Sequence, residues 1–153
     1  MPVKSKSKYK KKKKPKKLTY KTKWKRWRLK IYRRDNFMCQ MCGRRARIEP
    51  HHIIRKADHP ELTFVVRNGI TLCATQGKHK GCHNTVTGSE KDWAPLFTMM
   101  NKKELTIDKL DNFIQSLPAK IKNDLAKTKK IEALDWLFNR IKKLEKLNAH
   151  IGK

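Results

Sequence analysis

A chain of 153 residues has the length of one ordinary domain with tails. With 37% hydrophobic and 35% charged residues it can bury only a small core, so a metal staple would help the fold close. The 40 Lys+Arg against 13 Asp+Glu give a formal charge of +27, which argues first for a polyanionic partner, nucleic acid above all. No run of 18 apolar residues exists, and charge occupies the N-terminus where a signal peptide needs an apolar stretch. Neither membrane spanning nor secretion is therefore expected. The expected location is intracellular, in the cytoplasm of a bacterial or phage-infected cell, or in the nucleus of a eukaryotic one.

In chain order, residues 1–20 read as a disordered polybasic arm, with Lys10 to Lys14 followed by Pro15, Lys16 and Lys17. Residues 1–34 hold eighteen Lys/Arg and no acid, yet the other 22 basic and 13 acidic residues still leave +9. The body of the protein should attract phosphate without its tail. From Lys21 to Arg34 the residues Trp24, Trp27 and Ile31 recur at helical spacing among basic ones, which predicts a basic amphipathic helix with both tryptophans facing the core.

Cys39 and Cys42 form a C-x2-C knuckle, and Gly43 eases the tight path after it. Cys73 and Cys82 supply two more thiols. Their eight-residue interval is long for a zinc pair, but Gly77 and Gly81 let that loop bulge while its ends stay together. Four cysteines in an intracellular chain suggest metal before disulfides, so Cys39, Cys42, Cys73 and Cys82 are assigned a structural Zn²⁺. His79, inside the loop, is read as a solvated histidine. The stretches Arg47–Ile54 and Thr63–Val66 are β-prone. Farther on, Thr106 should cap a helix through Leu110, Phe113 and Leu117, ended by Pro118. Ile131, Leu134, Leu137, Phe138, Ile141 and Leu144 mark a last helix. Three segments are expected: the arm at 1–20, a core domain at 21–100 and a helical extension at 101–153.

The order Cys39, Cys42, His51, His52, Asn68, Cys73, Cys82, His83, with the phrase His59 to Cys73, resembles the HNH endonuclease family, in particular its phage-encoded and homing-type members. The resemblance runs from about Trp24 to Trp93. It implies an α+β fold: a zinc-stapled ββα-metal (His-Me finger) core between a basic N-terminal helix and a helical C-terminal extension. By the same resemblance His51 and His83 hold a catalytic divalent metal, His52 is the general base, and Asn68 fixes the loop and the orientation of that base. The implied reaction is hydrolysis of phosphodiester bonds, in double-stranded DNA before RNA. Toxin-type members carry a further histidine where this chain has Thr87. With two histidine ligands and a shell completed by water and phosphate, a hard ion such as Mg²⁺ or Mn²⁺ is favoured.

The chemistry can be argued separately, because neutral imidazole both binds divalent metals and takes a proton from water near neutral pH. Adjacent residues on a regular strand point to opposite faces, so a site shared by His51 and His52 requires a bulged or twisted strand end. The competing expectation is a zinc-containing module that binds nucleic acid without cutting it, for which the charge alone suffices.

Overall fold

The computed structural model describes residues 13–128 and 130–152. Of the arm expected at 1–20, residues 1–12 lie outside the described residues. The first helix, α1 (Tyr20–Arg34), starts at Thr19, whose hydroxyl accepts the Thr22 backbone N–H at 3.3 Å. Trp27, Ile31 and Tyr32 are its buried face, while Lys21, Lys23, Lys25, Arg26, Arg28 and Lys30 are exposed. Trp24 departs from its expected core position: it is half-buried at the edge of that face, 5.0 Å between centroids from Trp27.

Strand β1 (Ile48–His52) pairs antiparallel with β2 (Gly69–Cys73) in continuous register, Ile48 opposite Cys73 and His52 opposite Gly69. No bulge interrupts it, so the irregular strand end expected at His51–His52 is not present. Alternation therefore holds: Glu49 and His51 face one side, Pro50 and His52 the other. Helix α1 covers the His52 side. It comes so close to Gly69 that a Cβ there would collide with Ile31 Cδ1.

The other side is covered by a short helix α2 (Cys82–Val86) and by α3 (Glu90–Asn101), which brings Trp93, Leu96 and Phe97 into the core. The segment Thr63–Val66, expected to be extended, forms no strand. Pro60–Leu62 and Val66–Asn68 are single 3-10 turns, and the Thr63 hydroxyl closes the first by donating to Pro60 O at 2.6 Å. Local turn chemistry outweighs β-propensity where no strand offers a partner.

Helix α4 (Ile107–Ser116) is capped as expected, Thr106 Oγ1 accepting the Lys109 N–H at 3.3 Å. Pro118 ends it and then begins α5 (Ala119–Lys127), a helix outside the two that the apolar periodicity predicts. The last helix, α6 (Ile131–Ile151), buries Leu134, Leu137 and Ile141. The expected stripe stops there: Leu144 is 50% exposed and Ile151 82%. One apolar cluster runs from Cys39 and Met41 through Ile70, Leu72, Trp93 and Phe97 to Leu110, Phe113, Leu125 and Ile141, so the C-terminal helices share their core with the strands. No helix among the described residues is long and apolar enough to cross a membrane.

Candidate functional site

The four cysteines meet. Cys39 and Cys42 come from the knuckle after α1, Cys73 ends β2 and Cys82 begins α2, and their sulfurs all lie within 4.8 Å of one another. A tetrahedral zinc with bonds of about 2.3 Å needs sulfur–sulfur edges of roughly 3.8 Å, and Cys42 and Cys73 are 3.6 Å apart. The donor set and spacing fit a structural zinc. The loop from Ala74 to Gly81 doubles back through paired backbone bonds between Gln76 and His79, returning Cys82 to Cys73 despite the long interval.

His79 is not the solvated loop residue expected. It is half-buried, with Nε2 3.5 Å from Cys73 Sγ. The Cys82 N–H also donates to that sulfur, at 3.4 Å. Such bonds stabilise thiolate over thiol. Neighbouring thiols and burial push Cys39 and Cys82 up, while the Cys39 thiol beside it brings Cys42 down. Among the described residues, this is the only place where three or more His, Cys, Asp or Glu ligand atoms converge.

His51 and His83 also meet, on the α2–α3 side of the sheet. Their ring centroids are 5.1 Å apart with the planes nearly perpendicular. His51 is buried, its Nε2 has no hydrogen-bond partner, and burial, reinforced by His83, pushes its pKa down to about 4, so it is neutral at pH 7. Glu49, two residues before His51 and therefore on the same strand face, holds its carboxylate 3.8 Å from His83 Nδ1. Two imidazoles, one with an orphaned nitrogen, and a carboxylate beside the second thus lie on one face of the sheet, without the mutual closeness of the cysteine sulfurs.

His52 lies on the opposite face of β1. Its ring is stacked on Trp27 at 4.3 Å between centroids, and Trp24 lies 5.9 Å away. Nε2 is 2.9 Å from Thr63 O. A carbonyl only accepts, so Nε2 carries the proton and Nδ1 keeps its lone pair. Burial, with Lys56 adding to it against the Thr63 carbonyl, holds His52 below its usual pKa.

Asn68 is buried and acts as a clip. Its Oδ1 accepts the Ile54 N–H at 2.8 Å, its Nδ2 donates to Ile54 O at 2.9 Å, and its own backbone O accepts the Ile53 N–H at 2.9 Å. The chain immediately after His52 is thereby tied to the start of β2. A cavity of about 320 Å³ adjoins this clip, lined among others by Ile53, Arg55, His59, Glu90 and Lys91. A larger one, about 640 Å³, lies between the end of α1 and α6, around Arg34, Asn101 and Arg140. Neither is lined by His51, His52 or His83.

Sequence reasoning set Glu49 aside as one solvated charge among several, although its spacing from His51 was a usable signal. It had none for Trp27 lying against His52, or for Thr63, whose backbone rather than side chain makes the contact. Compared with family models, with curated proteins and with solved structures, the chain matches none.

Proposed function

We propose that the protein is a metal-dependent endonuclease of the HNH kind, acting on DNA phosphodiester bonds, with a structural zinc in the cysteine quartet. The observation that carries this reading is the meeting of His51 and His83, from a strand and from a helix more than thirty residues further on, with Glu49 beside them. It is supported by the order strand, strand, helix and by the tautomer of His52.

What supports a second cation is the buried, unpartnered Nε2 of His51, a ligand atom without another task. Mg²⁺ or Mn²⁺ held by His51 and His83 would offset charge on the phosphate and the departing 3′ oxygen. Glu49, with its carboxylate 3.8 Å from His83 Nδ1, supplies negative charge beside that ring rather than a hydrogen bond. This reading assigns His52 Nδ1 as the acceptor of the attacking water's proton, its Nε2 being engaged by Thr63 O, and requires that water to reach it across the end of β1, since His52 faces away from His51 and His83. Asn68 is a positioning residue that fixes the backbone after His52. The exposed Lys and Arg of α1 bind the DNA backbone electrostatically.

One observation favours a second reading, a zinc-bearing module that binds nucleic acid without cutting it: His51 and His52 occupy opposite faces of an unbroken strand, with Trp27 flat against the latter. Incubating the zinc-loaded protein and its His52→Ala variant with supercoiled plasmid, with Mg²⁺ or Mn²⁺ and then with EDTA, separates the two. The enzyme reading expects metal-dependent nicking that falls by about 10²- to 10⁴-fold in the variant. Equal DNA retention by both proteins with no cutting under either metal supports the binding module.

A further inference from the structure

Lys130, immediately before α6, is buried at 5% exposure, and its ammonium nitrogen lies 3.9 Å from Cys82 Sγ. Among the described residues that sulfur is the acceptor it reaches. A buried ammonium needs a nearby negative charge, and a neutral thiol does not provide one. Four thiolates around a divalent zinc do, because they leave two negative charges in excess.

The same helix is seated on the other half of the quartet. Trp136 packs its indole against Gly43, the residue after Cys42, closely enough that any Cβ at that position would collide with the ring. Gly43 is also in the left-handed region, at φ +78°, so both the turn and the close approach require glycine there. Arg140 donates from Nη1 to Gln40 Oε1 at 2.9 Å, and the buried Gln40 amide in turn donates to Asp35 O and Met38 O. Three side chains of one segment, at 130, 136 and 140, thus engage Cys82 and the Cys39–Gly43 knuckle.

We propose that the four-cysteine centre, once loaded with zinc, is the dock for the C-terminal helix: Lys130 supplies its countercharge, and zinc occupancy governs the seating of α6 through Trp136 and Arg140. His79, its Nε2 3.5 Å from Cys73 Sγ, is the polar neighbour on the Cys73 side. Lys130 is a positioning residue and not a ligand, since four thiolates already complete the tetrahedron. The inference is independent of whether the histidines cut DNA.

The test uses the full chain in zinc-loaded and zinc-stripped forms, and reads amide hydrogen exchange together with zinc affinity against a competing chelator. Stripping zinc should raise exchange in residues 131–141 together with 39–43, and zinc added back should restore protection. Lys130→Met should weaken zinc binding by about 10- to 100-fold, with Lys130→Arg recovering most of the loss. Protection of 131–141 that survives zinc removal would overturn the docking claim. Zinc affinity in a folded Lys130→Met equal to wild type would overturn the countercharge. Where Lys130→Met fails to fold, the comparison of wild type with Lys130→Arg and Lys130→Gln decides: affinity kept by Arg and lost by Gln supports the countercharge, and equal affinity in both refutes it.

Discussion

The imidazole of His52 lies on the indole of Trp27 with planes within 13° and centroids 4.3 Å apart, so one tryptophan both fills the core under α1 and sets the plane of the proposed base. Replacing Trp27 with Leu should keep the site apolar but remove the aromatic face. The His52 ring protons, shielded by the indole in the wild type, should shift downfield in the NMR spectrum. The lost volume and the lost bond from Trp27 Nε1 to Val65 O should lower stability by about 2 to 4 kcal/mol. An unchanged His52 resonance would mean the stacking is absent in solution.

Asn68 holds both backbone polar groups of Ile54, and only a side-chain amide can do so. Asn68→Ala should cost about 2 kcal/mol, moderated because Ile54 is itself exposed to water. Asn68→Asp should be no better, since it keeps the acceptor for the Ile54 N–H but turns an oxygen toward the Ile54 and Leu62 carbonyls. Urea unfolding of the two variants is the check, and an aspartate variant as stable as wild type would contradict the clip.

The approach of α1 to the sheet depends on the missing side chain at Gly69. Gly69→Ala pushes a methyl into Ile31 and Trp27, both almost wholly buried, and should cost about 1 to 3 kcal/mol, or roughly 3 to 10 °C in Tm. Because Gly69 lies opposite His52, the change should also disturb the His52–Trp27 stack. A variant melting with wild type would show that α1 sits farther from the sheet.

Tyr32 gives a pH signature. Its hydroxyl donates to Ile48 O at 3.2 Å, and burial, opposed in part by Arg28, raises its pKa above 10. As pH rises through about 10 the unfolded chain loses the phenolic proton first, so folding takes up a proton and stability falls. The stability advantage of wild type over Tyr32→Phe should therefore shrink between about pH 9 and pH 11 in urea titrations. A constant difference would contradict the raised value.

Several of these features could be read from residue order. Cys39-x2-Cys42 with Cys73 and Cys82 announces a cysteine cluster able to hold a metal, Trp27 and Ile31 the buried face of α1, and Thr106 a helix cap. Strand alternation was legible too: His51 and His52 do point to opposite faces, and the bulge invoked to bring them together is what the structure lacks. Other features depend on partners that no local pattern names. Thr63–Val66 is β-prone, but Pro60 and the Thr63 hydroxyl close a turn there. Lys130 reads as one lysine among forty Lys/Arg until the sulfur 48 residues away is beside it. Leu144 continues the apolar stripe of α6, yet it is left half exposed, lining the open cavity shared with Leu105 and Thr106.

The claim on which the functional account rests is that His51 and His83 ligate a second cation beside the DNA phosphate. The direct measurement is electron spin-echo spectroscopy of Mn²⁺ added to the zinc-loaded His52→Ala protein bound to a short duplex. The account predicts nitrogen modulation from directly coordinated imidazole, weakened when either His51→Ala or His83→Ala is added and lost when both are. A Mn²⁺ spectrum showing only water and phosphate, the same with and without those two histidines, would contradict it.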